Sequence, residues 1–193
     1  MEIHMEELVL SHSEIEDITK RLGEQISKDL ANEEKTPLFV VVMKGALNFM
    51  ASLLNNLTIP LVTDYVQVSS YEGTKQTGKV KFKHMLETDP TGRTIVIVED
   101  VVDTGLTIRI LKDYLNTSFS PKRVLVCSLF DKVNCRKVEE KVDYAGKVLE
   151  KNKFLIGFGL DYDELERNVP YVYTPTKEDL DKLNERLAKD KAE

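Results

Sequence analysis

Apolar residues recur at two periods along the chain, and the points where the period changes predict most of its elements. Ile15, Ile18, Leu22, Ile26 and Leu30 keep helical spacing behind Ser13-Glu14-Ile15-Glu16, which reads as a capping box opening a helix. After the polar link "NEEKTP", Leu38 to Val42 is a short, wholly apolar run, the pattern of a strand buried on both faces. It enters Met43-Lys44-Gly45-Ala46, beyond which Leu47, Met50, Leu53 and Leu54 form a helical stripe. A second strand is predicted from Leu61 to Val68, followed by "SSYEGTKQTG", a polar, glycine-containing loop. "KVKFKHML" then alternates strictly, as a half-exposed antiparallel strand does, and Asp89-Pro90-Thr91-Gly92 makes a turn.

The second half continues in the same way. Ile95 to Val98 reads as a buried strand, Ile108, Leu111 and Leu115 as one face of a helix, and Val124 to Phe130 as another buried strand. Phe154 to Leu160 and Tyr171 to Tyr173 are the last expected strands, and Thr176 caps a polar helix carrying Leu180, Leu183 and Leu187. Strand and helix alternate through the middle, so the expected class is α/β with a mainly parallel sheet flanked by helices. The 193 residues are expected to form a single domain.

Composition narrows the function. A formal charge of −6 argues against broad nucleic-acid binding. No apolar run approaches the roughly 18 residues of a membrane span. The opening "MEIHMEELVL" lacks the charged-then-apolar pattern of a signal peptide. Cys127 and Cys135 form no CxxC pair and are expected to be reduced thiols of a cytoplasmic protein. His4, His12 and His84 are too scattered to hold a metal together.

The chemistry concentrates in "IVIVEDVVDTGLT", Ile95 to Thr107. Four β-branched residues lead into Glu99, Asp100 and Asp103, and a Thr-Gly-x-Thr turn follows. Ligands of open α/β sheets bind outside the carboxyl ends of the strands, and Val98 is expected to be the last buried residue before that edge. Glu99 and Asp100 should point to opposite sides, one toward a ligand and one behind it. Gly105 permits a positive φ, and backbone N–H groups with the Thr104 and Thr107 hydroxyls would line a helix N-terminus as a phosphate cradle. Carboxylates beside such a cradle conflict with an anionic ligand unless a hard cation such as Mg²⁺ or a cation-like sugar intervenes. The segment contains neither GxxxxGK nor GxGxxG, so a P-loop and a dinucleotide fingerprint are excluded.

"IVIVEDVVDTGLT" resembles the 5-phosphoribosyl-1-pyrophosphate (PRPP) motif of the type I phosphoribosyltransferases, most closely in the 6-oxopurine branch. "VVMKGA", "SSYEG", "SLFDK", "NKFLIGFGLDYDELER" and "PYVY" follow in that family's order, so the resemblance runs from Leu8 to Tyr173. It implies the type I fold, with a core at about residues 36–160 and a small hood from the chain ends. It also implies an Mg²⁺-dependent, cytoplasmic purine-salvage enzyme joining hypoxanthine or guanine to PRPP, and a homo-oligomer, dimer or tetramer.

The resemblance further implies roles for single residues. Glu99 and Asp100 would hold the ribose hydroxyls directly or through Mg²⁺-bound water, and Asp161 a second Mg²⁺ through water. Asp103 would be the general base or acid at the purine N7. Asp103, Thr104, Gly105, Leu106 and Thr107 would wrap the 5′-phosphate, with Leu106 contributing backbone only. Lys44 and Gly45 would bind pyrophosphate next to a cis peptide joining Met43 to Lys44, with Arg167 as a further contact. Ser70 and Tyr71 would belong to a lid, Lys132 would donate to the purine O6, Phe154 would stack on the base, and the Leu155 backbone would meet its edge. "DKVNCRK" and "KVDYAGKVLEKNKF" depart from the family's common sequence beside the base pocket, which bears on base preference. A xanthine-preferring enzyme and an RNA-binding regulator on the same fold are the alternatives left open by the sequence.

Overall fold

The computed structural model describes residues 5–70 and 80–190. Two compact units emerge, residues 1–17 with 153–193, and residues 18–152.

The larger unit is built on a six-stranded sheet. Its strands are β2 (Leu38–Met43), β3 (Val62–Ser70), β4 (Val80–His84), β5 (Thr94–Val102), β6 (Arg123–Asp131) and β7 (Tyr144–Val148), and β1 belongs to the other unit. The spatial order is β4-β3-β2-β5-β6-β7. Every neighbouring pair is parallel except β3 with β4. Helix α2 (Leu47–Leu54) connects β2 to β3, and α3 (Leu106–Ser118) connects β5 to β6. Leu38, Val40 and Val42 on β2 and Ile95 and Ile97 on β5 pack with Ile108, Leu111 and Leu115 of α3 in one buried cluster. Phe39, Val41, Val96 and Val98 alternate to the other face and are also buried. Two covered faces explain the unbroken apolar runs, each large side chain adding about 1.5–3 kcal/mol of transfer free energy.

The other unit pairs β1 (Met5–Leu10) with β8 (Val172–Pro175) in an antiparallel ribbon, and α4 (Lys177–Asp190) follows. Ile156, Tyr173 and Leu183 form its buried cluster. Thr176 caps α4 as expected: its hydroxyl donates to Asp179 at 2.6 Å and accepts from the Asp179 N–H at 3.1 Å.

Several boundaries differ from the sequence reading. Helix α1 (His12–Asp29) starts before Ser13, because Ser11 and Glu14 make the reciprocal box. The stripe of α2 buries Phe49, Met50 and Leu53, whereas Leu47 and Leu54 are exposed. Strand β5 runs on through Glu99 and Asp100 to a buried Val102, rather than ending at Val98. Strands β1 and β7 were not foreseen, since "MEELVL" and "YAGKV" lack a clean period of two. Phe154 to Leu160 is no strand. Only Ile156 bridges to Tyr173, after which Gly157, Phe158 and Gly159 take left-handed φ values of 97°, 51° and 99° and turn the chain back.

Glu33 ties the amino end of β6 to the loop after α1, bonding Lys122 at 2.8 Å and Arg123 at 2.7 Å from a buried side chain. The Lys122 hydrogen bond, with Thr94 and Arg123 adding to it against the cost of burial, lowers the Glu33 pKa from 4.5. Its contribution is therefore full above about pH 4.5 and lost as pH falls through the lowered value. Glu33→Gln is expected to cost about 1–3 kcal/mol at pH 7. In urea titrations that deficit should shrink steadily as the buffer is taken below pH 4; a pH-independent deficit would contradict the assignment.

Candidate functional site

From β2 the chain steps through α2 to β3 on one side, and from β5 it steps through α3 to β6 on the other. The connections diverge at the carboxyl ends of β2 and β5, and a crevice opens where two neighbouring parallel strands part company in this way. The loops that fill it are residues 43–46 and 103–105. The Met43–Lys44 peptide is cis, as the resemblance implies. Lys44 is exposed, and Gly45 passes so close to Asp100 that a Cβ on it would lie 1.8 Å from Asp100 Oδ2. No residue with a side chain fits there unless the carboxylate moves.

Glu99 and Asp100 carry the charge of this crevice. Asp100 Oδ1 accepts the N–H of Val101 at 2.7 Å while Oδ2 lies beneath Gly45. Glu99 lines a cavity of about 70 Å³ with Val102, Asp103, Gly105, Thr107 and Ile108. Its Oε2 is fully buried with no hydrogen-bond partner among the described residues. Burial, and then the neighbouring charge of Asp100, push the Glu99 carboxyl well above the usual range. Glu99, with its orphaned oxygen, and Asp100 offer hard oxygen donors, which suit a hard cation. Among the described residues no three His, Cys, Asp or Glu side chains gather around one metal position. Magnesium commonly takes only one or two protein carboxylates and completes its shell with water and phosphate oxygens.

The next turn leads into α3. Gly105 sits at φ 81° as the N-cap of α3, and the Leu106 N–H meets Thr104 Oγ1 at 3.4 Å. The segment after β6 holds this turn from outside: the Lys137 and Val138 N–H groups donate to Thr104 O at 2.9 and 3.2 Å. Asp103, with a side chain 45% exposed, faces Lys132, whose Nζ lies 3.8 Å from Asp103 Oδ2. Lys132 is buried, donates from Nζ to Asn152 Oδ1 at 3.2 Å, and is anchored by its own N–H to Val102 O at 3.0 Å. Cys135 lies in a single 3₁₀ turn near Asp103. Burial and then that carboxylate push its thiol pKa up, leaving it neutral.

The larger unit thus brings Lys44, Gly45, Glu99, Asp100, Asp103 to Thr107 and Lys132 to the carboxyl ends of its central strands. Phe154, Leu155, Asp161 and Arg167 belong to the other unit. There Arg167 pairs with Asp161 at 2.8 Å and donates to Gly159 O at 2.6 Å. Phe154 is 52% exposed, edge-on to Tyr162, and Leu155 is buried. Ser70 ends the β3 backbone, while its side chain and Tyr71 lie outside the described residues. One residue the sequence did not announce is Arg136. Its guanidinium reaches the carbonyls of Val102, Asp103 and Lys132. An Arg four positions after a Lys carries no such signal in a linear reading.

The comparisons with known proteins agree with this geometry. A family model described as the phosphoribosyl transferase domain matches residues 7–163. The hypoxanthine-guanine phosphoribosyltransferase of Streptococcus pyogenes is 39% identical over 173 residues, 89% of this chain and 94% of that protein. That of Lactococcus lactis is 41% identical over 169 residues, 87% of this chain and 90% of its own. A solved hypoxanthine phosphoribosyltransferase from Staphylococcus aureus superposes with a TM-score of 0.83 at 34% identity, covering 90% of this chain and 93% of that one. A mutant hypoxanthine phosphoribosyltransferase from Trypanosoma cruzi, in a ternary substrates complex, gives a TM-score of 0.85 at 28% identity, covering 91% and 98%.

The Glu99 environment makes a stability prediction independent of activity. Glu99→Gln keeps the shape and removes the buried charge beside Asp100. The melting temperature without ligands is expected to rise by about 2–8 °C, the shift that 1–2 kcal/mol produces in a domain of this size. A fall measured by calorimetry would mean that the carboxylate is already compensated.

Proposed function

Since the chain belongs to the phosphoribosyltransferase family, on its hypoxanthine-guanine branch, we propose that it performs purine salvage with the following division of labour. It is a transferase on the type I fold, and it moves the phosphoribosyl group of PRPP to hypoxanthine or guanine. The bond from the anomeric carbon to pyrophosphate breaks, a bond to a purine ring nitrogen forms, and the purine gives up a proton. Three charges must be managed together: a sugar that turns cationic, an anionic leaving group and a deprotonating base.

The observation that carries the assignment is the pair Asp103 and Lys132, one carboxylate and one ammonium 3.8 Å apart beside the acidic Glu99-Asp100 edge. Asp103 takes the proton at the purine N7. Lys132 can only donate, so it accepts an oxo group at C6 and rejects the amino group of adenine. Glu99 and Asp100 face the sugar as its charge develops, and bring the ribose hydroxyls into place. Residues 103–107 hold the 5′-phosphate with backbone and hydroxyl donors at the start of α3. Lys44 and the Gly45 backbone hold pyrophosphate. Glu99 and Asp100 are also the residues that would hold Mg²⁺, and when bound it supplies positive charge to the departing pyrophosphate. Among the residues of the smaller unit, Phe154 would serve the base by stacking and Leu155 by its backbone, Arg167 would bind pyrophosphate, and Asp161 would help hold a second Mg²⁺. The enzyme works in the cytoplasm as a dimer or tetramer. Among the described residues no helix is long and apolar enough to cross a membrane.

Two measurements test this reading. Nucleotide formation from PRPP and Mg²⁺ should occur with hypoxanthine or guanine and be weak with adenine and uracil. Turnover of none of them by folded protein would end the proposal. Asp103→Asn is expected to lower kcat by about 10²–10⁴-fold, the usual size of a general acid–base contribution, while PRPP affinity stays near that of the wild type. An unchanged kcat would move the proton to another group.

A further inference from the structure

We infer that Arg136 is a positioning residue that fixes the distance between Asp103 and Lys132, an inference that rests on the roles proposed for those two. The β5–β6 ladder pairs Val102 with Asp131 as its last partners, after which the two strands end. Beyond that point Lys132 N–H donates to Val102 O at 3.0 Å, and the next backbone bonds between the two loops are those of Lys137 and Val138 to Thr104 O. Arg136 supplies what the ladder no longer does. From Nη1 it donates to Val102 O and Asp103 O at 2.5 Å each, and to Lys132 O at 3.3 Å. From Nη2 it pairs with Asp131, which is itself buried. Its side chain is only 14% exposed.

Two of the three carbonyls belong to the residues whose side chains are proposed to read and deprotonate the purine. The guanidinium therefore acts as a rigid spacer between them. An ammonium could not replace it, since its donors radiate from one atom, whereas the guanidinium meets the carbonyls through Nη1 and Asp131 through Nη2 in one rigid plane. The phosphate cradle depends on it less, because the Thr104 carbonyl is held separately by Lys137 and Val138. Loss of Arg136 should thus be felt by the base more than by PRPP. A misplacement of about 1 Å at reacting groups is enough to cost around 10²-fold in rate.

Initial-rate kinetics with hypoxanthine and PRPP varied independently would test this, using wild type, Arg136→Lys and Arg136→Ala, with melting temperatures as a control. The expected result for Arg136→Lys is a KM for hypoxanthine about tenfold higher and a kcat about tenfold lower, with the KM for PRPP within about threefold. In Arg136→Ala, millimolar guanidinium should restore part of kcat/KM for hypoxanthine, whereas ammonium at equal ionic strength should not. Asp131→Asn, which leaves the fork in place but without its counter-charge, should move the same parameter in the same direction by less. A folded Arg136→Lys enzyme with wild-type constants would overturn the inference. So would a fall in kcat alone that tracks the folded fraction, since that is what a purely structural role gives. Wild-type enzyme inactive on both 6-oxopurines would instead overturn the functional reading, and this inference with it.

Discussion

The parallel pairing of β2 with β5, Leu38 opposite Ile95 through Val41 opposite Val98, brings two chain segments distant in sequence to one edge of the sheet at one height. Both strands are buried on both faces, so their register is set by packing and cannot slip without exposing the core. Because the chain leaves them in opposite directions, a gap opens between their carboxyl ends, lined by residues 43–46 and 103–105. The close passage of Gly45 over Asp100 follows from that geometry. So does the strand conformation of Glu99 and Asp100, which the extended β5 carries beyond the apolar run.

The charge placed at that edge opposes stability. Glu99 keeps a buried oxygen with no hydrogen-bond partner among the described residues, beside a second carboxylate, an arrangement that a chain selected only for folding would replace. The rest of the larger unit treats its charges differently. Glu33 is bridged by Lys122 and Arg123, and Glu140 by Arg109 and Lys112. Glu99 thus carries its electrostatic cost at the position where a cationic sugar or a metal is proposed to arrive.

The segment after β6 gives the site its rigidity. Residues 132–138 fold back over the start of the 103–105 loop through the Thr104 carbonyl and the Arg136 fork. The loops proposed to recognise the base and to bind the phosphate are therefore built as one unit, although their residues lie about 30 positions apart in a chain where most connections are short.

The sequence by itself determined the class of fold and the chemistry of the main loop. The apolar runs of β2, β5 and β6 could only be doubly covered strands. The stripe Ile108, Leu111 and Leu115 could only face a core, and three carboxylates leading into a Thr-Gly-x-Thr turn pointed to a cation-dependent phosphate ligand. These are local patterns, and local patterns survive in a linear reading. What tertiary structure decided was everything held by distant partners. β1 and β7 are strands because β8 and β6 pair with them, not because their own residues alternate. The capping role passed from Ser13 to Ser11 because Glu14 was within reach of it, and β5 continued past Val98 because β6 still offered it partners. Arg136 could not be singled out for the same reason: the carbonyls it holds are brought to it only when two strands end side by side.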